Sequence, residues 1–273
     1  MGAFMRKYAT ELVGTFFLVF TICCSVRSGA ALAPLAIGGV LAALVFAGGH
    51  ISGAHYNPAV TLAVYLRGRL PAAEVLPYWV SQVIGAVVAA ATARGVVDTG
   101  PSSPLSLSGQ PLAAAFVAEL LVTFALAYVV LNVATSKDHP DNSFYGLAIG
   151  FTVLAGAVSV GGISGGVFNP AVAVGVSTAG LVSWSMLWVY LVANLAGGAA
   201  AAVAFRAANP DDLAVPAVVA DAGLAAGAGV GADADAQERV RWHRAALEAS
   251  ALNTENAVEA ARQQPVVSDH ADS

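Results

Sequence analysis

The tetrapeptide Asn-Pro-Ala-Val occurs twice, at residues 57–60 and 169–172, each time in an apolar segment too short to cross a membrane. Shifted by 112 residues, the two halves of the chain match at further positions. Gly53 falls on Gly165, Tyr78 on Tyr190, Gln82 on Asn194 and Gly85 on Gly197. With a slightly different shift, "ELVGTF" at 11–16 meets "ELLVTF" at 119–124. Chance likeness between apolar segments can reproduce a Leu or an Ala, but not two Asn-Pro pairs and two Glu at nearly fixed offsets. The chain therefore folds as two copies of one unit.

Composition says what surrounds that unit. The 273 residues are 58% hydrophobic and 11% charged, whereas a soluble domain carries about 25% charged residues. Six apolar runs, at 8–26, 31–49, 76–97, 112–134, 144–160 and 183–205, have the reach to cross a hydrocarbon core of ~30 Å as helices. Each copy holds three of them, an odd number, so the copies enter the membrane from opposite sides as an inverted repeat. Arg6, Lys7, Arg67, Arg69, Lys137 and Arg206 gather at one side, against Arg27 and Arg94 at the other. The positive-inside rule then puts both termini in the cytoplasm. This predicts an integral, multi-pass protein of the plasma (inner) membrane with the lipid bilayer as its solvent.

The domain reading is a membrane unit at 1–206, with repeat one at 8–97 and repeat two at 112–205, followed by a cytoplasmic tail at 207–273. The Pro-, Ser- and Gly-rich stretch 98–111 separates the repeats as a loop. Residues 1–206 carry eight basic and six acidic side chains, and the tail four and eleven, so the acidic balance belongs to the tail. The tail reads as largely disordered, with a thin apolar stripe along an Ala-rich helix at 235–263. Cys23 and Cys24 are adjacent in an apolar run, where they read as packing residues; no disulfide, metal or cofactor is expected of them.

Asn is a favoured helix N-cap and Pro a favoured first helical residue, so each Asn-Pro-Ala-Val starts a helix. "NPAVTLAVYL" reaches ~15 Å, half the hydrocarbon thickness, and "NPAVAVGVSTAG" reaches about as far. The preceding "SGAHY" and "SGGVF" read as re-entrant loops that carry the helix starts to mid-membrane, where irregular backbone survives only when protein buries it or a water-filled cavity borders it. Two helix N-termini then meet at one spot. Each Asn oxygen caps its own helix, which turns the amide NH₂ toward the lumen. Asn57, Pro58, Ala59, Asn169, Pro170 and Ala171 thus build the centre of a narrow pore that binds oxygens of neutral molecules, repels cations and interrupts a proton-conducting water wire.

"SGAHYNPAVTLAV", "SGGVFNPAVAVGV" and the doubled Glu-x-x-x-Thr-Phe resemble the aquaporin, or major intrinsic protein, family over residues 8–205. The resemblance implies an all-α fold of six transmembrane helices and two half-helices, assembled as a homotetramer with a pore in each protomer. It also implies that Glu11 and Glu119 brace the re-entrant loops through backbone N–H groups. The competing role, a carboxylate proton relay, is disfavoured because the two Glu are symmetry-related and no Lys, Arg or His lies near them in their spans. Gln82 and Asn194 read as interhelical hydrogen-bonding residues. His50 and His55 flank the first re-entrant loop, where they line the cytoplasmic vestibule or hydrogen-bond to the loop.

By the family's spacing from each Asn, the outer constriction falls on Ile37, Ala157, Gly166 and Val172. Water-selective members carry Phe, His, Cys and Arg there, and many glycerol facilitators follow the Arg with Asp; here Val172 replaces the Arg and Ala173 follows it. Val at this place resembles plant vacuolar members, although those carry His where Ile37 stands. Removing Arg removes a fixed cation and up to five donors. The resulting apolar ring favours small neutral solutes such as ammonia, urea, hydrogen peroxide, carbon dioxide and small polyols, alongside water. The expected function is a passive channel with no nucleic-acid partner and no enzymatic activity, since neither a paired-His metalloprotease motif nor a Gly-x-Ser-x-Gly elbow occurs. Its rivals are an ion-coupled secondary transporter, which inverted repeats also build, and a non-conducting member of the same fold.

Overall fold

The computed structural model describes residues 3–97, 103–139 and 142–212. They form α1 (Ala3–Arg27), α2 (Ala33–Ser52), α3 (Pro58–Arg67), α4 (Ala72–Val96), α5 (Gly109–Thr135), α6 (Tyr145–Ser164), α7 (Pro170–Thr178) and α8 (Leu187–Ala208). Six of these are long and apolar enough to cross a membrane, and α3 and α7 are the two short helices. The expected spans differ from the helices mainly at their ends. Helix α6 continues through Gly161-Gly162 to Ser164 and stops at Gly165 in the left-handed conformation (φ 92°). Helix α8 starts late because Ser183 accepts a bond from the Ser185 amide and opens a separate 3₁₀ turn over Trp184–Met186.

Packing follows the repeat. Helix α1 lies against α4 as α5 lies against α8, and α2 meets its counterpart α6. Gly85 and Gly197, matched in the sequence, set the close crossings. A Cβ on Gly85 would lie 2.5 Å from Leu12 O, and one on Gly197 2.5 Å from Leu120 O. The half-helices are exchanged between repeats: α3 packs chiefly on α8, and α7 on α4. The long helices also satisfy the far ends of the half-helices. Arg206 Nη1 donates to Leu66 O (3.3 Å), and at the symmetry-related position Arg94 Nη1 donates to Thr178 O (3.4 Å). Arg27 Nη1 adds a bond to Ala179 O (3.2 Å), so α7 ends among guanidinium donors that complement its dipole. Outward faces carry exposed Phe17, Leu121, Phe151, Val158 and Val203, the surface of a bundle solvated by lipid.

The packed chain continues past the boundary at 206 read from the sequence. Ala207 and Ala208 extend α8, and Asn209–Asp212 form a turn whose last side chain is 3% exposed. Asp212 Oδ1 pairs with the buried Arg67 (2.7 Å) and with Arg69 (3.2 Å), and its Oδ2 accepts the Lys137 amide (3.0 Å). Burial alone would raise the Asp212 carboxyl; the bonds from Arg67 and from the Lys137 amide outweigh it and hold the pKa at about 2. The rest of the tail, with its expected disorder and Ala-rich helix, lies outside the described residues, as do residues 98–102 of the inter-repeat loop.

Two outcomes follow from these contacts. Gly85→Ala and Gly197→Ala each push a methyl into backbone and should lower stability by about 1–3 kcal/mol, whereas Gly39→Ala, which meets nothing within 4 Å, should not. Thermal unfolding midpoints in detergent compare the three. A depressed folded pKa means that Asp212 stabilises the fold above the unfolded value of 3.8 and that this contribution fades as pH falls toward 2. Wild type should therefore lose stability over that window faster than Asp212→Asn, as read from unfolding midpoints at each pH.

Candidate functional site

The two re-entrant loops meet in the middle of the bundle. Asn57 and Asn169 adopt extended backbone (φ −157° and −158°) and cap their helices: Asn57 Oδ1 accepts Ala59 N (2.8 Å), and Asn169 Oδ1 accepts Ala171 N (2.9 Å) and Val172 N (3.3 Å). Their amide groups do not simply face a lumen, as the sequence suggested. Asn57 Nδ2 donates to Phe168 O (2.9 Å), and Asn169 Nδ2 donates to Tyr56 O (2.8 Å). Each Asn thus binds the carbonyl of the residue just before the other. One N–H of each amide is spent on this exchange and one is left.

The loops need such anchors because their backbone is strained. Ala54, Tyr56 and Phe168 have positive φ (51°, 48° and 51°) without being glycine, a conformation that persists only where the surroundings impose it. Glu11 supplies much of that. Its Oε1 accepts from Ser52 Oγ (2.7 Å) and His55 N (2.9 Å), and its Oε2 from Tyr56 N (2.7 Å) and Gln82 Nε2 (2.8 Å). Glu119 repeats the scheme with Ser164 Oγ (2.7 Å), Val167 N (2.9 Å) and Phe168 N (2.7 Å). Tyr78 and Tyr190, noticed only as a repeat match, donate to Ser52 O (2.7 Å) and Ser164 O (2.6 Å). Both Glu are fully buried, and every partner is a donor.

Thr61 adds a link present in one repeat only, because its counterpart is Ala173. Its single hydroxyl proton goes to Asn57 O (3.0 Å), and its oxygen accepts from Gln82 Nε2 (3.0 Å). His55 Nδ1, 3.1 Å away, must then be the donor, which leaves Nε2 as an acceptor. Among the described residues Nε2 has no hydrogen-bond partner, and His55 lines both the central cavity and the vestibule. Asn194, one methylene shorter than Gln82, accepts from Thr123 Oγ1 (3.0 Å).

Around the Asn pair lies a narrow central cavity of ≈ 40 Å³, measured to water-sized centres, room for a short file of about three waters. Ile37, Gly166 and Val172 line it with both Asn, and the remaining wall is mostly Leu, Ile and Val. Ala157 is not among the lining residues; its Cα lies beside Gly166, 3.6 Å from where a Cβ there would lie. A wider vestibule of ≈ 430 Å³ at one end is lined by Lys7, His55, Arg69, Tyr78 and Thr135 among others. His55 borders both spaces, so it stands where the vestibule narrows into the cavity. His50 does not: it is exposed at the end of α2 and borders neither. Cys23 is buried in the core and Cys24 half-buried, both unbridged. Sequence reasoning missed Thr61 and the Arg67–Asp212 pair; the signal for the first was its absence from repeat two.

Glu119→Gln replaces one acceptor oxygen with a donor facing a hydroxyl or backbone N–H. It should lower the unfolding midpoint by an amount equivalent to about 1–3 kcal/mol, measured by thermal unfolding against wild type.

Comparison with known proteins places these features in company. Residues 2–205 match the family model described as Major intrinsic protein. A "Glycerol uptake facilitator protein-like 6" from Lactiplantibacillus plantarum is 39% identical over 222 residues, covering 76% of this chain and 100% of that protein. "Aquaporin NIP1-2" from Arabidopsis thaliana is 36% identical over 216 residues, covering 73% of this chain and 72% of that protein. The X-ray structure of the aquaglyceroporin from Plasmodium falciparum matches with a TM-score of 0.62 at 23% identity, over 73% of this chain and 94% of that one.

Proposed function

The chain belongs to the major intrinsic protein family, and from that premise we propose that its central cavity is a pore for small uncharged solutes beyond water, with polyols, urea, ammonia and hydrogen peroxide as the class. As a member it is a multi-pass membrane protein and a passive channel for water or small solutes, not an enzyme. The finer reading rests on one observation: Asn57 and Asn169 border a cavity whose wall, among the described residues, holds no Asp, Glu, Lys or Arg. A coupled transporter needs an ion-binding or titrating group near mid-membrane, and the two Glu nearest to it are fully engaged with the loops.

The selectivity argument follows from the wall. Val172 stands where a cationic side chain would narrow the passage, and Ile37 and Gly166 leave the same level apolar. Such a ring strips part of a solute's hydration without replacing it, which favours molecules with few hydrogen-bonding groups or an apolar flank. The printed name of the Lactiplantibacillus relative supports polyols within the class. The remaining N–H of Asn57 and Asn169 offers donors only, and His55 Nε2 offers an acceptor on the vestibule side. A water held between the Asn amides points both hydrogens away from them, and this orientation opposes proton hopping while the two helix N-termini oppose cations. Glu11 and Glu119 brace the loops that place these groups. The Arg69 end faces the cytoplasm of the plasma (inner) membrane, and the protein assembles as a homotetramer with one pore per protomer.

Stopped-flow shrinkage of proteoliposomes with water, glycerol, urea and ammonia gradients tests the reading. Wild type should pass glycerol or urea well above empty vesicles, linearly with concentration and indifferent to ionophores. Val172→Arg should cut glycerol and urea flux at least fivefold while water flux falls less than twofold. Equal loss for every solute would remove Val172 from the constriction, and flux that follows an ion gradient would favour the transporter.

A further inference from the structure

The fold is symmetric in its braces but not at its mouths, and the asymmetry centres on Arg67. Its guanidinium is buried at the C-terminus of α3, with Nε donating to Thr135 Oγ1 (2.8 Å) and Nη2 to Thr135 O (3.0 Å). Nη1 donates to Asp212 O (3.4 Å), Nη2 pairs with Asp212 Oδ1 (2.7 Å), and Cζ lies 4.7 Å from the centre of the Phe205 ring. The positions related by 112 residues to Arg67 and Arg69 are Ala179 and Leu181. Among the described residues the opposite end has no cluster built on a carboxylate; there Arg27 and Arg94 donate to the last carbonyls of α7 instead.

Asp212 joins this buried charge to the passage. The same Oδ1 that holds Arg67 also holds Arg69 Nη2, and Arg69 and Thr135 both line the vestibule. The Arg69 side chain is one-third exposed, on the side of a space whose other cation, Lys7, is paired with Glu74 (3.2 Å). A buried ion pair is a weak source of stability but a strict one: without its partner, either charge must find another. Arg67 keeps Thr135 when Asp212 is lost. Among the described residues Arg69, the more exposed of the two, has no such second side-chain anchor.

We propose that Asp212 is a positioning residue for conduction: it holds the Arg69 guanidinium against the vestibule wall, so that the segment leaving α8 sets how open the Arg69 mouth is. This rests on the channel reading and adds a determinant at the mouth, apart from the Val172 level. A guanidinium released from Asp212 carries five N–H donors. Ser52, Gly53 and His55 line the same vestibule, so the polar groups that such a guanidinium would seek lie along the passage. Lodged there, it narrows the route and puts a charge on it.

The full chain reconstituted in proteoliposomes tests this, with glycerol and urea as probes and folding checked by size exclusion. Asp212→Asn should lower solute permeability at least threefold, and Asp212→Glu should stay within twofold of wild type. Adding Arg69→Gln to Asp212→Asn should restore at least half of the lost permeability, a rescue that damage to the fold would not give. Where Asp212→Asn does not fold, Arg67→Met/Asp212→Asn removes both buried charges and leaves Arg69 unpartnered; it should be slow, and fast again once Arg69→Gln is added. Wild-type flux with an unchanged Asp212→Asn, or a slow variant that Arg69→Gln does not rescue, overturns the positioning role and leaves the channel intact. Wild-type flux no higher than empty vesicles overturns both.

Discussion

Two stretches of irregular backbone must survive at mid-membrane, where water is scarce and every unpaired N–H or C=O is costly. The reciprocal bonds from Asn57 to Phe168 O and from Asn169 to Tyr56 O meet that demand across the twofold. Each Asn uses its oxygen on its own helix and one N–H on the other loop, so neither half-helix is placed correctly without the other. The Glu carboxylates close the account from outside by collecting consecutive loop amides, and Ser52 and Ser164 turn the chain by accepting the Ala54 and Gly166 amides. Positive φ at Tyr56 and Phe168 is tolerated because the donors on both sides of each residue are fixed. The exchange of half-helices between repeats, α3 on α8 and α7 on α4, makes the same point at the level of packing: one repeat alone leaves its half-helix without a seat.

On this symmetric frame the pore is polarised. Thr61, where repeat two has Ala173, orients the His55 ring and leaves an acceptor toward the vestibule; Val167 stands in the place of His55 in the other loop and offers nothing comparable. Arg67 and Arg69 face Ala179 and Leu181 under the same operation. Hydrogen-bonding groups thus crowd one side of the Asn pair, while the other side is Ile37, Gly166 and Val172. In the proposed channel, a solute meets compensation for its lost water on the His55 side and almost none on the Val172 side. The apolar level then becomes the selective step, and small size with few polar groups becomes the criterion.

The sequence carried the frame well because the frame is periodic. Six apolar runs, two Asn-Pro starts and two Glu at near-constant offset are signals that repetition amplifies, and the glycines at 85 and 197 stood out as a matched pair before their close contacts were visible. What it did not carry were contacts between residues far apart with no repeat partner. Arg67 looked like one more cation at a helix end, and Asp212 like one more acid in an acidic tail; only the fold brings them to 2.7 Å. His50 and His55 were equal in the sequence; the structure leaves His50 exposed at the end of α2 and places His55 in the buried loop held by Glu11. Ala157 had the right spacing for the constriction and packs beside Gly166, but it is not among the residues that line the central cavity.

The arginines show why charge counting reached an orientation without its local reasons. Arg94 and Arg206 are symmetry mates, so by construction one lies at each end of the bundle, and no bias in loop charge can explain both. Each is fixed by the same demand, the open carbonyl at the end of the other repeat's half-helix. Arg27 serves that demand a second time at α7. The three are therefore set by backbone chemistry at half-helix ends and carry little topological information. Setting these three aside leaves Arg6, Lys7, Arg67, Arg69 and Lys137 at the Arg69 end, where Asp212 holds Arg67 and Arg69 through their guanidinium groups and Lys137 through its backbone amide. Two of these cations, Lys7 and Arg69, also line the vestibule of the proposed channel.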